Sequence, residues 1–191
     1  MRTISEIANR NATFIHIPKT AGQAIINWFK QSPNVDLTYR DCSQGHPKRQ
    51  WYDENWKQEK LENVFVVVRN PWSRLVSGYL YTKYGSEKKY DRSWFVRKTF
   101  EGFVRNPSRH YLPQDLWYKE TDTILKHENL KEDFKLIQNF FNDHRELETY
   151  NVTNVNKENF DWRTFYDEPL KEFVKEKYAK EIEFFGYEYD A

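Results

Sequence analysis

The sequence predicts an α/β fold: one domain over residues 1–191, with a mainly parallel sheet flanked by helices. Three observations lead there. Two short apolar runs, Phe14-Ile15-His16-Ile17 and Val64-Phe65-Val66-Val67-Val68, each pass through a turn into a helix-patterned segment. Strand–turn–helix units of this kind build parallel sheets covered by helices. The second run is continuously β-branched and aromatic, the habit of a strand buried on both faces. No internal repeat, low-complexity tract or Pro/Gly-rich linker divides the 191 residues, a length that suits one core.

Each element follows in chain order. Residues 13–17 read as a strand, and Gly22 to Lys30 as a helix with Ile25, Ile26 and Phe29 on one side. Residues 33–60 are polar and turn-rich, with Trp51 and Trp56 among charges, and read as an ordered excursion. After Val64–Val68, Asn70-Pro71 starts a helix with Asn as N-cap and Pro at the first helical position. Its residues Trp72, Leu75, Val76, Tyr79 and Leu80 form an apolar stripe. Residues 93–105 read as helical, and Thr123-Ile124-Leu125 as a short strand. Asn129-Leu130-Lys131-Glu132 has the pattern of a capping box, opening a helix with Phe134, Ile137, Phe140 and Phe141 inward. A last helix runs from Pro169 to about Phe185 and buries Phe173, Val174, Tyr178 and Ile182.

Composition narrows the function. Lys and Arg total 30 against 29 Asp and Glu, a net charge of +1. General nucleic-acid binding needs a basic footprint that this balance lacks, so any anion must be gripped locally. No apolar run approaches the ~20 residues of a membrane span. The N-terminal stretch has no apolar signal core, and Cys42 is the only cysteine, which excludes an internal disulfide. These features set the expectation of a cytoplasmic protein with no membrane partner. Aromatic residues make up 18% of the chain, so its core leans on Phe, Tyr and Trp. Trp94, Trp117 and Trp162, like Trp51 and Trp56, read as packing residues rather than sugar-stacking platforms.

In parallel sheets, ligands sit beyond the carboxyl ends of the strands. Two candidate anion grips stand at such ends. The first is Lys19-Thr20-Ala21-Gly22 leading into a helix, where unsatisfied backbone N–H groups and the lysine charge attract an anion. Gly22 suggests a close backbone approach, and Thr20 a hydroxyl donor. The pattern is not a Walker A loop, because Lys-Thr precedes the glycine. The second grip is Arg69, whose planar fork suits a phosphate, with Ser73 and Ser77 one turn apart off the apolar stripe.

Together, "HIPKTAG" and "VVVRNPWSRLVSGY" resemble the 5′-phosphosulfate loop and the 3′-phosphate motif of the sulfotransferase superfamily, in particular its carbohydrate, heparan sulfate 2-O-sulfotransferase-like type. "ILKHENLKEDF" at 124–134 and "YAKEIEFFGY" at 178–187 echo later blocks of that family. The resemblance implies a P-loop-like sulfotransferase fold. It also implies transfer of SO3 from 3′-phosphoadenosine-5′-phosphosulfate (PAPS) to a hydroxyl of a small-molecule or carbohydrate acceptor. Lys19 matches the lysine that steadies the departing phosphate. Thr20, Ala21, Gly22, Gln23 and Ala24 match the loop around the 5′-phosphate, and Arg69 and Ser77 the pair on the 3′-phosphate. Gln23-Ala24 departs from the hydroxyl residues usual after the glycine. Asn156-Lys157 resembles a loop that closes over the nucleotide, and Gln114 a residue of the acceptor cleft.

Sulfuryl transfer parallels phosphoryl transfer, in which positioning and charge stabilisation dominate. No metal is expected, because no carboxylates or histidines have ligand spacing and Lys19 can neutralise the leaving group. Of the five histidines, His16 reads as packed within a strand, His127 as structural, and His110 and His144 as exposed. His46, in Ser43-Gln44-Gly45-His46-Pro47, matches the histidine such enzymes place here as general base. The absence of a membrane anchor in this chain suggests a bacterial or viral enzyme. Two other classes stay open on the residues alone: a magnesium-dependent nucleotide kinase-like enzyme, and a non-catalytic module that binds sulfated or phosphorylated ligands.

Overall fold

The computed structural model describes residues 12–35, 48–50, 54, 63–84, 99–148 and 160–190. Along the chain these form β1 (Thr13–Ile15), α1 (Gly22–Gln31), β2 (Val64–Val68), α2 (Pro71–Tyr84), α3 (Phe100–Arg105), β3 (Thr123–Lys126), α4 (Leu130–Asp133), α5 (Lys135–Phe141), α6 (Glu168–Lys177) and α7 (Ala179–Phe185). Short 3-10 turns occupy Arg109–Tyr111, Gln114–Leu116, His127–Asn129 and Trp162–Phe165. The chain forms two compact units, Met1–Val68 with Leu116–Asn151 and Arg69–Asp115 with Val152–Ala191. The fold is α/β, a parallel sheet flanked by helices, as the strand–turn–helix pattern predicts.

The first unit holds the sheet, in the order β1-β2-β3 with both pairings parallel. Ile15 stands opposite Val66, and Val66 opposite Ile124. All five residues of β2 are buried, as its unbroken apolar run predicts for a central strand. On one face Phe65, Val67 and Leu125 pack with Ile25, Trp28 and Phe29 of α1 and with Phe134, Ile137 and Phe141. Trp28 meets Phe134 edge-on at 5.1 Å, and Phe29 meets Phe141 at 5.4 Å, so aromatic pairs supply much of this core. Fully burying each such side chain contributes about 1.5–3 kcal/mol.

A polar lock closes the end of α1. The Asp143 carboxylate accepts from the Ser32 hydroxyl and the Arg145 guanidinium. Arg145 Nη2 donates to the Trp28 carbonyl at 3.0 Å, while Trp28 Nε1 donates to the Arg145 carbonyl at 2.9 Å.

In the second unit α2 begins as its Asn-Pro sequence predicts. Asn70 Oδ1 accepts from the backbone N–H groups of Trp72 and Ser73. Trp72, Leu75, Val76, Tyr79 and Leu80 are all buried. The helix is nevertheless less amphipathic than the stripe suggests, because Ser73 and Arg74 are buried too. Gly78 permits this crowding: a Cβ there would lie 2.3 Å from the Tyr111 ring.

Several elements differ from the sequence reading, for local reasons. β1 ends at Ile15 rather than Ile17, because the chain turns at Pro18 and Lys19. The helix placed at 93–105 starts at Phe100: Thr99 is extended (φ −67°, ψ 162°) and caps it by accepting from the Gly102 N–H. Residues 93–98 lie outside the described residues. The capping box does not form. Asn129 donates to Asp133 instead, Asp133 accepts the Lys126 N–H at 2.7 Å, and Glu132 pairs with Lys135.

The last helix divides at Tyr178, which leaves helical geometry (φ −112°, ψ 20°) and donates its hydroxyl to the Tyr111 carbonyl at 2.6 Å. Val174 and Tyr178 are buried as expected, but Phe173 and Ile182 are only half-buried, while Leu170 and Glu181 are buried. Most of the 33–60 excursion, including Cys42, Trp51 and Trp56, also lies outside the described residues, as does Trp94. Trp117 is fully buried and Trp162 half-buried, the packing roles read from composition.

Candidate functional site

In the first unit the chain leaves β1 and makes a turn whose backbone is unusual. Lys19 and Ala21 are both left-handed, at φ 70° and 69°, although neither is glycine. Each such residue costs about 1–3 kcal/mol and persists only where its surroundings enforce it. Thr20 supplies part of that enforcement: its fully buried hydroxyl donates to the Ile17 carbonyl at 2.9 Å. Ala21 then serves as N-cap of α1 without a side-chain bond, its carbonyl accepting the N–H groups of Ala24 and Ile25. The backbone N–H groups of residues 20–23 have no hydrogen-bond partner among the described residues. Successive N–H donors in such a turn, at the positive end of a helix dipole, form an anion-binding concavity.

The structure redistributes the roles read into this loop. The Thr20 hydroxyl proton is used within the turn, so what Thr20 offers a ligand is its N–H. Ala24 is buried and its N–H is taken by Ala21, whereas Gln23 is exposed and neither its N–H nor its amide has a partner among the described residues. Gly22 is helical rather than left-handed. A Cβ there would lie 2.0 Å from two atoms of the His16 ring, so the glycine makes room for that histidine. His16 also stacks on Phe14, with ring centroids 5.9 Å apart, so it is packed as expected, although it lies just after β1 rather than within it.

In the second unit Arg69 follows the last residue of β2 and is half-buried. Its Nε donates to Ser73 Oγ at 3.0 Å, and Ser73 in turn donates to the Asn70 carbonyl at 3.2 Å. Ser73 is therefore a buried bracket for the guanidinium rather than a serine on a wet face. Ser77, one turn further along α2, is half-buried, and its hydroxyl has no hydrogen-bond partner among the described residues. The backbone of Arg69 is held separately. Its N–H donates to Gln114 Oε1 at 2.9 Å and its carbonyl accepts from Gln114 Nε2 at 2.8 Å. Gln114 is fully buried, which removes it from the acceptor-cleft role its sequence position suggested.

Behind Gln114 lies a buried charge cluster that sequence reading missed. Glu181 accepts from both the backbone N–H and the amide of Gln114. Arg74, fully buried, donates to the carbonyls of His110 (2.8 Å) and Leu112 (3.0 Å). Burial pushes the Glu181 carboxyl up to about 7, outweighing the Arg74 charge and the Gln114 N–H groups, with Asp115 adding to the rise. Burial likewise lowers Arg74. His110, read as exposed, is half-buried, and burial, then the Arg109 and Arg74 charges, hold it below the usual histidine range. No local pattern marks the cluster in the sequence, since Arg74 and Glu181 each sit one residue off an apolar stripe position, about 100° around the helix.

The predicted residues thus group as Lys19 to Ala24 in one turn of the first unit, and Arg69 and Ser77 in the second. His46, Asn156 and Lys157 lie outside the described residues. Among the described residues no cluster of His, Cys, Asp or Glu is arranged to hold a metal ion, and no helix is long and apolar enough to cross a membrane.

The fold is α/β, with a lysine-bearing turn after β1 and an arginine directly after β2. The sequence profile of the Sulfotransferase family matches residues 8–188, so the chain belongs to that family and to the transferases. No curated protein and no solved structure matches the chain.

Proposed function

We propose that this protein transfers a sulfuryl group from PAPS to a hydroxyl of a carbohydrate or related acceptor by in-line displacement. The observation that carries the reading is the turn at Lys19–Gln23, with two left-handed residues and, among the described residues, no partner for the N–H groups of residues 20–23. Such a turn suits a tetrahedral oxyanion such as a phosphate, on which successive backbone N–H donors can converge. β1 and β2 run parallel, so both end at the same edge of the sheet, where parallel sheets bind ligands.

In this reading the N–H groups of residues 20–23, with the Gln23 amide, hold the 5′-phosphate. Ala24 adds only shape. The Lys19 ammonium neutralises charge on the oxygen that leaves sulfur, so no metal is required for that step. Arg69, bracketed by Ser73, and Ser77 hold the 3′-phosphate that distinguishes PAPS from ATP-like donors. His46 takes the acceptor hydroxyl's proton, and Asn156-Lys157 close over the nucleotide. The donor supplies the SO3 group, and the chain supplies alignment and charge. The heparan sulfate 2-O-type resemblance points to a sugar hydroxyl, acted on in a cytoplasmic setting.

Calorimetric titration tests the reading. Adenosine 3′,5′-bisphosphate is expected to bind without magnesium, and more tightly than ATP with magnesium. The reverse preference would replace this reading with a kinase-like one. Binding without transfer across an acceptor panel would leave only a binding module. His46→Ala is expected to keep nucleotide affinity while losing transfer by about 10²–10⁴-fold. Turnover near wild type would remove His46 from the mechanism.

A further inference from the structure

We propose that Gln114 is a positioning residue for Arg69, and that Glu181 fixes Gln114 in the orientation this requires. The inference rests on the reading of Arg69 as the 3′-phosphate ligand. It concerns residues distant in sequence from either anion grip.

The geometry is a two-point clasp. Gln114 Oε1 accepts the Arg69 N–H at 2.9 Å while Nε2 donates to the Arg69 carbonyl at 2.8 Å. A side-chain amide here performs the paired exchange that a neighbouring strand would perform, one residue beyond the end of β2. The amide has only one workable orientation. Nε2 faces two acceptors, the Arg69 carbonyl and Glu181 Oε1 at 3.2 Å, and a flipped amide would set oxygen against both. Glu181 also takes the Gln114 backbone N–H, so one carboxylate holds both the main chain and the side chain of that residue. Arg74 secures the preceding segment through the carbonyls of His110 and Leu112.

Gln114, Glu181 and Arg74 are each no more than 1% exposed. A buried polar network of this size is costly to keep unless fully bonded, and it rigidifies what it touches when it is. What it touches is the one residue between β2 and the Asn70 cap. With its backbone clasped by Gln114 and its Nε on Ser73, Arg69 has its guanidinium plane set before any ligand arrives. A preorganised ligand-binding side chain avoids the ordering cost that binding otherwise imposes.

The test is the ratio of affinities for adenosine 3′,5′-bisphosphate and 5′-AMP, measured by calorimetry on the full chain. Gln114→Met keeps the volume and removes the clasp. It is expected to weaken the bisphosphate by about 5–10-fold, the net worth of lost hydrogen bonds, and 5′-AMP by less than about 2-fold. In an Arg69→Ala background the same substitution is expected to leave the ratio alone. A purely structural Gln114 would lower the melting temperature yet keep the wild-type ratio, and that result overturns the proposal.

If Gln114→Met gives no folded protein, Glu181→Gln reads the same ratio. A shift of about 2–5-fold is expected, and an unchanged ratio is again fatal. Failure of the underlying reading is separable. Should Arg69→Ala itself leave the ratio unchanged, Arg69 is not the 3′-phosphate ligand and both ideas fall. Should Arg69→Ala move the ratio while Gln114→Met does not, only the positioning role falls.

Discussion

The turn after β1 and the segment after β2 are both candidate anion grips, yet they are built from different materials. The first is made of backbone: two left-handed residues, one internal hydroxyl bond and a row of N–H groups. The second is made of side chains, with an arginine bracketed by Ser73 and clasped by Gln114 over a buried Glu181–Arg74 cluster. Backbone donors suit a group whose charge is shared and reorganised during reaction, because they do not move. A guanidinium suits a fixed phosphate that must be told from a hydroxyl. Under the proposed function, the contrast corresponds to catalysis in the first region and recognition in the second.

That division can be broken by experiment, and the largest effect belongs to the first region. Lys19→Ala is expected to lower turnover by about 10²–10³-fold while bisphosphate affinity falls much less. A loss of affinity that accounts for the whole loss of rate would make Lys19 a recognition residue and erase the contrast.

The backbone character of the turn is sharpened by Gly22→Ala. The new Cβ would lie 2.0 Å from the His16 ring, and a destabilisation of about 1–3 kcal/mol is expected in denaturant titration. Adding His16→Ala should recover part of it, whereas no recovery would mean that the glycine serves something else. In the second region, Asn70→Ala removes the cap of α2 and the bond from its amide to the Glu188 carbonyl. About 1–2 kcal/mol is the expected cost.

The smallest effect is a slope. Glu181 keeps its proton in the folded chain up to about pH 7, against an ordinary value of 4.5. The unfolded chain therefore loses that proton first, and this contribution to stability falls as pH rises from about 4.5 to 7, then levels off. Subtracting the Glu181→Gln stability curve from wild type should expose that decline. A flat difference would mean that the carboxylate is ionised throughout.

What was legible in the sequence and what was not follow the same divide. The strand Val64–Val68, the Asn70-Pro71 start and the lysine turn could all be read because local pattern and tertiary outcome agree there. The left-handed Lys19 and Ala21 could not, since nothing in a lysine or alanine announces positive φ and Gly22 drew attention to itself. Its real constraint, the His16 ring, is a packing fact. Gln114 was read as a cleft residue from the family resemblance alone; only the fold brings it onto the Arg69 backbone. The capping box failed because Asp133 competed for Asn129 and Lys135 for Glu132. Arg74 and Glu181 escaped notice because buried charges are rare and each looked like the wet side of a helix.

The central claim is that both regions hold one nucleotide, and a crystal structure with adenosine 3′,5′-bisphosphate bound measures it directly. The 5′-phosphate is expected within hydrogen-bond distance of the N–H groups of residues 20–23, with the 3′-phosphate on the Arg69 guanidinium. A nucleotide whose 3′-phosphate touches neither Arg69 nor Ser77, or whose 5′-phosphate lies away from that turn, would contradict the account.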